Sequence, residues 1–418
     1  MSFRTDSSAP AMLNDLKVAN RRRVISCFRR GAVTGAGDIS QQTGISRPTV
    51  VKCIRFFLGT GLLVSQGKGK STAIGGKRPE TYALSGSRYF LTLALWPQEQ
   101  RAFLFTIGHT LLGSITLPEA LPETAEDTGR KAAALASRLL REQCVQPGDV
   151  CAVAVSTSGT VDRQTETLIY SSHTPQWGTN VHLLDDLRAL FGPGIPIYME
   201  NAAKMCARPF LLDPTLRRQR VLVLFTTWGL SGCMMERGHI MSGHNALIGE
   251  IGHMTLDPSD PEPCGCGSCG CFERLVSPTR MRRLVQERAH EFPGSSLPGR
   301  PELTIPQLFE ASRAGDPLAV SLSRHLASHF AHALRNISLV FDPDCVILQG
   351  DYAAADEVFR TALSEALSDF RYFNSHMPFL LQDDRRPLSE MDAEGAFIAL
   401  DHLYFGDAAL YQDDSPEE

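Results

Sequence analysis

The sequence lacks any uninterrupted apolar stretch of about 18 residues, which a membrane-spanning helix needs. It also lacks an N-terminal apolar run fit for a signal peptide. These absences lead us to expect a cytoplasmic protein with no membrane partner. Nor does it have the cysteine pattern of a disulfide framework. Its eleven cysteines are odd in number, and four of them crowd into positions 264–271. That usage argues for metal ligation plus buried thiols. Acidic residues are scarce in one region only. Residues 1–88 hold Asp6, Asp15, Asp38 and Glu80 against 15 Lys and Arg, a balance of +11, while the remainder stands at −16. A basic head on an acidic body is the electrostatic outline of a nucleic-acid-binding module joined to a ligand- or partner-binding one; the plain alternative is a solvated basic arm. With 43% apolar and 21% charged residues the chain is globular, and 418 residues imply two or three domains.

Residues 1–12 read as disordered. From Asn20, Val24, Ile25 and Phe28 recur at helical spacing among Arg21, Arg22, Arg23, Arg29 and Arg30. The arginine run at 21–23 licenses a salt-dependent attraction to phosphates. After a Gly-containing break at 31–37, Asp38 is the expected N-cap of a short helix that Gly44 ends. Ser46 is the expected cap of a second helix over 47–58, with Pro48 in the first turn, where N–H groups lack helical partners. Val50, Val51, Ile54, Phe57 and Leu58 form its apolar stripe. Two helices across a tight turn make a helix-turn-helix, whose second helix points its start at base edges. That places Arg47, Thr49 and Lys52 as base readers and Arg55 as a phosphate contact. A strand over 62–64, a basic loop with Lys68 and Lys70, and a returning strand over 81–84 complete a winged variant.

The run Cys264-Gly265-Cys266-Gly267-Ser268-Cys269-Gly270-Cys271 follows Gly249-Glu250-Ile251-Gly252-His253. His253, Cys264, Cys266 and Cys271 form a three-cysteine, one-histidine set, the ligand chemistry of a closed structural zinc site, one per chain. Two alternatives stay open: Cys269 in place of His253, and thiols with no metal. Cys27, Cys53, Cys144, Cys151, Cys206, Cys233 and Cys345 fall in apolar patterns and read as buried thiols. The acidic stretch at 413–418 reads as a solvated end.

Strand patterns over 89–95, 102–106, 150–155, 221–225 and 346–348 alternate with helical ones over 128–142, 184–190, 281–290 and 318–337, which argues α/β architecture. With these features placed, the chain resembles the ROK family of repressors and sugar kinases. Gly249-Glu250-Ile251-Gly252-His253 and the run at 264–273 match the family's two signatures. Gly75-Gly76-Lys77-Arg78-Pro79 looks like the hinge of its repressors, and Glu394-Gly395-Ala396 resembles the start of its closing helix. The resemblance implies an N-terminal winged helix-turn-helix with hinge (1–87), then a two-lobed actin-like, ribonuclease H-like ROK domain. Its first lobe would span 88–200, completed by about 386–412, and its second, with the zinc motif, 201–385. It also implies a homodimer or homotetramer.

By the same resemblance, Gly159, Asn201, Glu250, His253 and Glu273 match sugar contacts, and zinc would brace the loop that carries the last three. The structural alternative gives Glu250 to a turn, His253 to the metal and Glu273 to a helix start. Three departures stand out. Family kinases carry a catalytic aspartate within Glu-Asn-Asp-Ala-Asn; here Glu200-Asn201-Ala202-Ala203-Lys204 has Ala202 at that position, and a methyl group takes no proton. The first phosphate loop has become Leu93-Ala94-Leu95-Trp96-Pro97-Gln98, without glycine. The second reads Thr227-Trp228-Gly229-Leu230-Ser231-Gly232-Cys233, where Trp228 would crowd a nucleotide. The expectation is a non-enzymatic DNA-binding regulator, a repressor of carbohydrate or related metabolism. It would act on double-stranded DNA at a palindromic operator, with a sugar or sugar derivative as effector. The alternatives are a sugar kinase fused to a DNA-binding domain and a regulator controlled by a protein partner.

Overall fold

The computed structural model describes residues 8–69, 78–373 and 378–412. The first helix, Ser8–Ser26, starts well before Asn20, so residues 8–12 are helical and not disordered. Helices Ala36–Thr43 and Arg47–Gly59 follow, with Gly44 between them at φ +69°. The cap of the second helix is Gly35, not Asp38, because the chain arrives there extended; Asp38 takes a first-turn position instead. That extended arrival, Thr34–Gly35, is a short strand pairing with Glu80–Leu84, which also pairs with Leu63–Lys68. Three helices and a three-stranded sheet give the winged helix-turn-helix. Val50, Ile54 and Phe57 face its core together with Cys53, whereas Leu58 is 37% exposed, near the helix end where the buried face has turned away.

Arg78 and Pro79 come just before the strand Glu80–Leu84, so this part of the hinge-like motif belongs to the wing and not to a linker. Lys70, Gly75, Gly76, Lys77 and the tail at 413–418 lie outside the described residues.

The body contains two five-stranded sheets of the same topology. In the first, Tyr89–Trp96, Glu99–Thr106 and Leu111–Leu117 form an antiparallel meander, and Val150–Thr157 and Ile197–Asn201 continue it in parallel. In the second, Arg220–Thr226, Leu230–Glu236 and His239–Ile240 form the meander, with Cys345–Gly350 and Leu380–Asp384 in parallel. The inner strands are nearly continuously apolar because helices cover both faces. The long helix Pro317–Phe341 shares an apolar core with Leu222, Leu224, Val346 and Leu348 of the second sheet. The closing helix, Leu388–Gly406, begins before Glu394 and packs across the first. Cys144 sits at φ +55° just past the helix Ala125–Glu142, and there the expected buried thiol is exposed.

Candidate functional site

The parallel strands of both sheets end at the cleft between them, where open α/β sheets place ligands. Gly159, Asn201, Glu250, His253 and Glu273 all line one cavity of about 270 Å³ there. Gly159 holds φ +99°, and a Cβ on it would stand 2.4 Å from the Tyr170 carbonyl oxygen, so no other residue fits. Asn201 ends its strand and caps the helix Ala202–Ala207. Its Oδ1 accepts from the Ala203 N–H at 2.8 Å, and its Nδ2 donates to the Gly159 carbonyl at 2.8 Å. Thr160 Oγ1 donates to Glu250 Oε1 at 2.8 Å, and the Leu230 N–H donates to Glu273 Oε2 at 2.9 Å. Each carboxylate therefore keeps acceptor capacity free for a polyol.

Ala202 is buried in the same wall. Glu200 lies on the other side of that segment. It is 3% exposed, takes the Asn201 N–H and the Tyr198 hydroxyl, and faces Lys204 and Arg208.

Trp96, at the end of its strand, meets Trp228 from the other sheet's loop with ring centroids 4.7 Å apart, and Phe225 packs against both. These aromatics occupy the ground between the segments 93–98 and 227–233. The space left on the far side of Trp228 is about 20 Å³, one water's worth. Sequence patterns missed Thr160, Tyr170 and His173 as lining residues, since each is placed only by partners distant in the chain.

Beside the cavity, the ligand atoms of His253, Cys264, Cys266 and Cys271 all lie within 4.8 Å of one another. Cys264 Sγ is 3.5 Å from His253 Nδ1, and Cys266 Sγ is 3.6 Å from Cys271 Sγ. Zn–S bonds of about 2.3 Å put tetrahedral sulfurs roughly 3.8 Å apart, so the set fits a zinc-sized ion. Burial raises the Cys264 and Cys271 thiols, and Cys271 is raised further by Cys264 and Cys266 beside it. Thiolates so crowded would be costly unless a cation binds them as their protons leave to solvent. Cys269 is not part of the group and points its sulfur toward the Pro261 carbonyl at 4.0 Å. Gly270, at φ +65°, passes so near the Asp257 carbonyl that a Cβ would stand 1.8 Å from it, and this closes the loop. His253 belongs to both places, with Nδ1 toward the sulfurs and the residue itself in the cavity wall.

On the head, Arg47, Lys52, Arg55 and Lys68 are exposed, while Thr49 is half-buried with its hydroxyl 2.9 Å from that of Ser46. Among the described residues these four cations have no ion-pair partner, so their charge is left for solvent or a polyanion. The arginine run differs from expectation. Arg21 is 6% exposed and donates to the Tyr411 carbonyl at 2.6 Å, Arg22 donates to the Gly406 carbonyl at 3.0 Å, and Arg23 bonds the Thr43 carbonyl. The Arg21 and Arg22 guanidinium groups hold the head to the body, and that of Arg23 is tied within the head, instead of reaching outward for phosphates.

The sequence model described as "ROK family" matches residues 109–384. Over 371 residues, 86% of each chain, the sequence is 23% identical to the DNA-binding transcriptional dual regulator NagC of Escherichia coli K12. It is 28% identical to a glucokinase of Thermotoga maritima over 227 residues, 52% of this chain and 69% of that one. The crystal structure of a ROK family transcriptional regulator, a homologue of the E. coli MLC protein, superposes with a TM-score of 0.75 at 19% identity, covering 95% of this chain and 98% of that one. Among the described residues, no helix is long and apolar enough to cross a membrane.

Proposed function

The chain belongs to the ROK family, and from that premise we propose that it is a DNA-binding transcriptional regulator without phosphoryl-transfer activity. Its effector would be a sugar or sugar derivative, bound in the cleft. The observation that carries this reading is the row of unneutralised cations on the helix Arg47–Gly59 and the wing, on a body with Ala202 in place of a base. Likeness to NagC over 86% of both chains supports it, since the uncovered share is smaller than the head and the similarity therefore takes in at least part of it. The chain would act as a homodimer, or a tetramer built from dimers, with two heads meeting successive major grooves of a palindromic operator.

Gly159, Asn201, Glu250, His253 and Glu273 would hold the effector. Carboxylates and an amide on one concave wall suit vicinal hydroxyls, and the volume sits near the low end of ligand pockets, about 300 Å³. His253, Cys264, Cys266 and Cys271 would hold one zinc ion, whose four protein ligands leave no open position; it would brace the loop that carries Glu250, His253 and Glu273. Fluorescence anisotropy with the chain's own promoter region tests the proposal. Affinity should fall steeply with salt, exceed that for random DNA, and change on adding the right sugar. Salt-indifferent binding would sink the idea.

The glucokinase likeness favours a second reading, phosphoryl transfer to a sugar. Coupled ADP release across a hexose panel separates the two, and we expect none.

A further inference from the structure

Behind the wall formed by residues 200–204 lies a second cavity, of about 380 Å³. Arg163, Lys204, Arg208, Glu200, Asp162 and His244 are among its lining residues. The Lys204 side chain is only 10% exposed, and its ammonium comes no nearer to Glu200 Oε1 than 3.8 Å, beyond hydrogen-bond length. Among the described residues it has no hydrogen-bond acceptor. A buried ammonium without acceptors is costly, so this one must face water or an anion across the cavity. Arg208 is 11% exposed; it donates to the Tyr198 hydroxyl, but its Nε is buried without a partner. Arg163 lies over the Tyr198 ring at 5.0 Å, at the rim, with no acid paired to it among the described residues. Opposing charge is limited. Glu200 is shared between Lys204 and Arg208, and Asp162 is engaged with the Gln164 N–H at 2.8 Å and the Thr165 hydroxyl at 2.9 Å. Three cations thus converge on a space with two carboxylates, of which Glu200 is shared between two of the cations and Asp162 is held by local donors.

We propose that this second cavity is a site for a small oxyanion of the phosphate class, either free or as the phosphoryl group of a metabolite. Lys204 and Arg208 would bind it from the interior and Arg163 from the rim, through charge-assisted hydrogen bonds. The site would also act on the first cavity. Residues 158–164, 200–208 and 241–250 supply walls to both, so an anion that orders the 241–246 loop also orders Leu247 and Glu250. The inference stands apart from the sugar reading, since none of its ligands lines the first cavity.

Titration calorimetry of the full chain with inorganic phosphate, at constant ionic strength with chloride as control, tests it. Saturable binding is expected, weakened about tenfold or more in Lys204→Met and about threefold or more in Arg163→Gln, because hydrogen bonds to charged groups carry that much. Glu200→Gln should tighten binding by removing the competing carboxylate, a gain that a merely structural ion network would not give. Should the Lys204 or Glu200 variant fail to fold, Arg163→Gln on the exposed rim decides alone. Failure of the wild type to bind phosphate, unchanged affinity in Arg163→Gln, or weaker binding in a folded Glu200→Gln would overturn the proposal. A hexose 6-phosphate arm identifies the source. Tighter binding than phosphate that Glu273→Gln abolishes assigns the phosphoryl group of a sugar spanning both cavities; equal binding, indifferent to Glu273, assigns the free anion.

Discussion

Ala202 is a single methyl group at the position where a kinase needs a base, but its neighbours make the difference larger than one side chain. Trp96 and Trp228 meet across the cleft beside Ala202, and on the proposed reading this pair keeps a nucleotide out even when a carboxylate is restored. Ala202→Asp should therefore fold, since an acid is favoured in a helix's first turn, and should release no ADP above background with ATP and any hexose. Clear turnover would show that the aromatic pair opens, and would overturn the regulator-only reading. A second residue-scale test concerns Asp392, on the closing helix beneath this pair. Ser156 donates to its carboxylate and itself accepts from Trp96 Nε1 at 3.3 Å. Burial pushes Asp392 up to about 7, against the opposing pull of the Ser156 hydrogen bond and Arg101. The neutral form is thus favoured when folded. This contribution is fully present below the unfolded value of 3.8 and is lost as pH rises through about 7, on the order of 4 kcal/mol at 1.4 per unit. Asp392→Asn should melt higher than wild type at pH 8 and about equally near pH 4. Parallel melting curves at both values would refute the burial argument.

At the scale of elements, the loop from His253 to Cys271 has only short 3-10 and bridge secondary structure, and while Asp260 and Glu262 pair with Arg274, Arg280 and Arg283, the metal set should supply the order of its cysteine end. We expect purified chain to carry one zinc per chain by elemental analysis, with Cys269→Ser unchanged. Cys271→Ser should lose most of the metal, melt lower and bind sugar more weakly, because Glu250, His253 and Glu273 lose their brace. Full metal content in Cys271→Ser together with loss in Cys269→Ser would hand the site to the other cysteine. This loop was legible in the sequence because its ligands are close together and glycine spacing restricts how they converge. The helix Arg47–Gly59 was legible for a similar reason, since its start signal and apolar period are local. What stayed hidden depends on distant partners. The short strand Thr34–Gly35 exists only because Glu80–Leu84 lies beside it. Arg21 and Arg22 resemble a phosphate-seeking run until the carbonyls of Tyr411 and Gly406, almost 400 residues on, are seen to accept their hydrogen bonds. No local pattern encodes such contacts.

Across the whole molecule, the head is not a tethered bead. Val24, Ile25, Phe28, Phe57 and Leu62 of the head share one apolar core with Phe90, Phe105, Phe397, Leu400, Phe405 and Tyr411 of the body. Arg29 pairs with Asp401 on the closing helix, and the Tyr411 ring stands 6.3 Å from that of Phe57 and 5.2 Å below the Arg22 guanidinium. The same closing helix lies so close to the helix Ala202–Ala207 that a Cβ on Gly395 would meet the Met205 carbonyl oxygen at 1.8 Å. One rigid element therefore touches both the wall of the ligand cavity and the base of the head. A ligand that shifts Ala202–Ala207 must either move the closing helix or be resisted by it, and the head follows that helix through Arg29 and Tyr411. Tyr411→Ala removes the buried ring at this junction. It should lower stability by roughly 3–5 kcal/mol, as large-to-small core changes do, and leave the cavity untouched. The decisive readout is linkage, because coupling between ligand and DNA is one reciprocal free energy. In Tyr411→Ala the sugar should bind with near wild-type affinity, while its effect on operator affinity, and the operator's effect on sugar affinity, shrink together toward nothing. If both effects persist at full size in a folded variant, the signal does not travel through the closing helix, and the shared core serves stability alone.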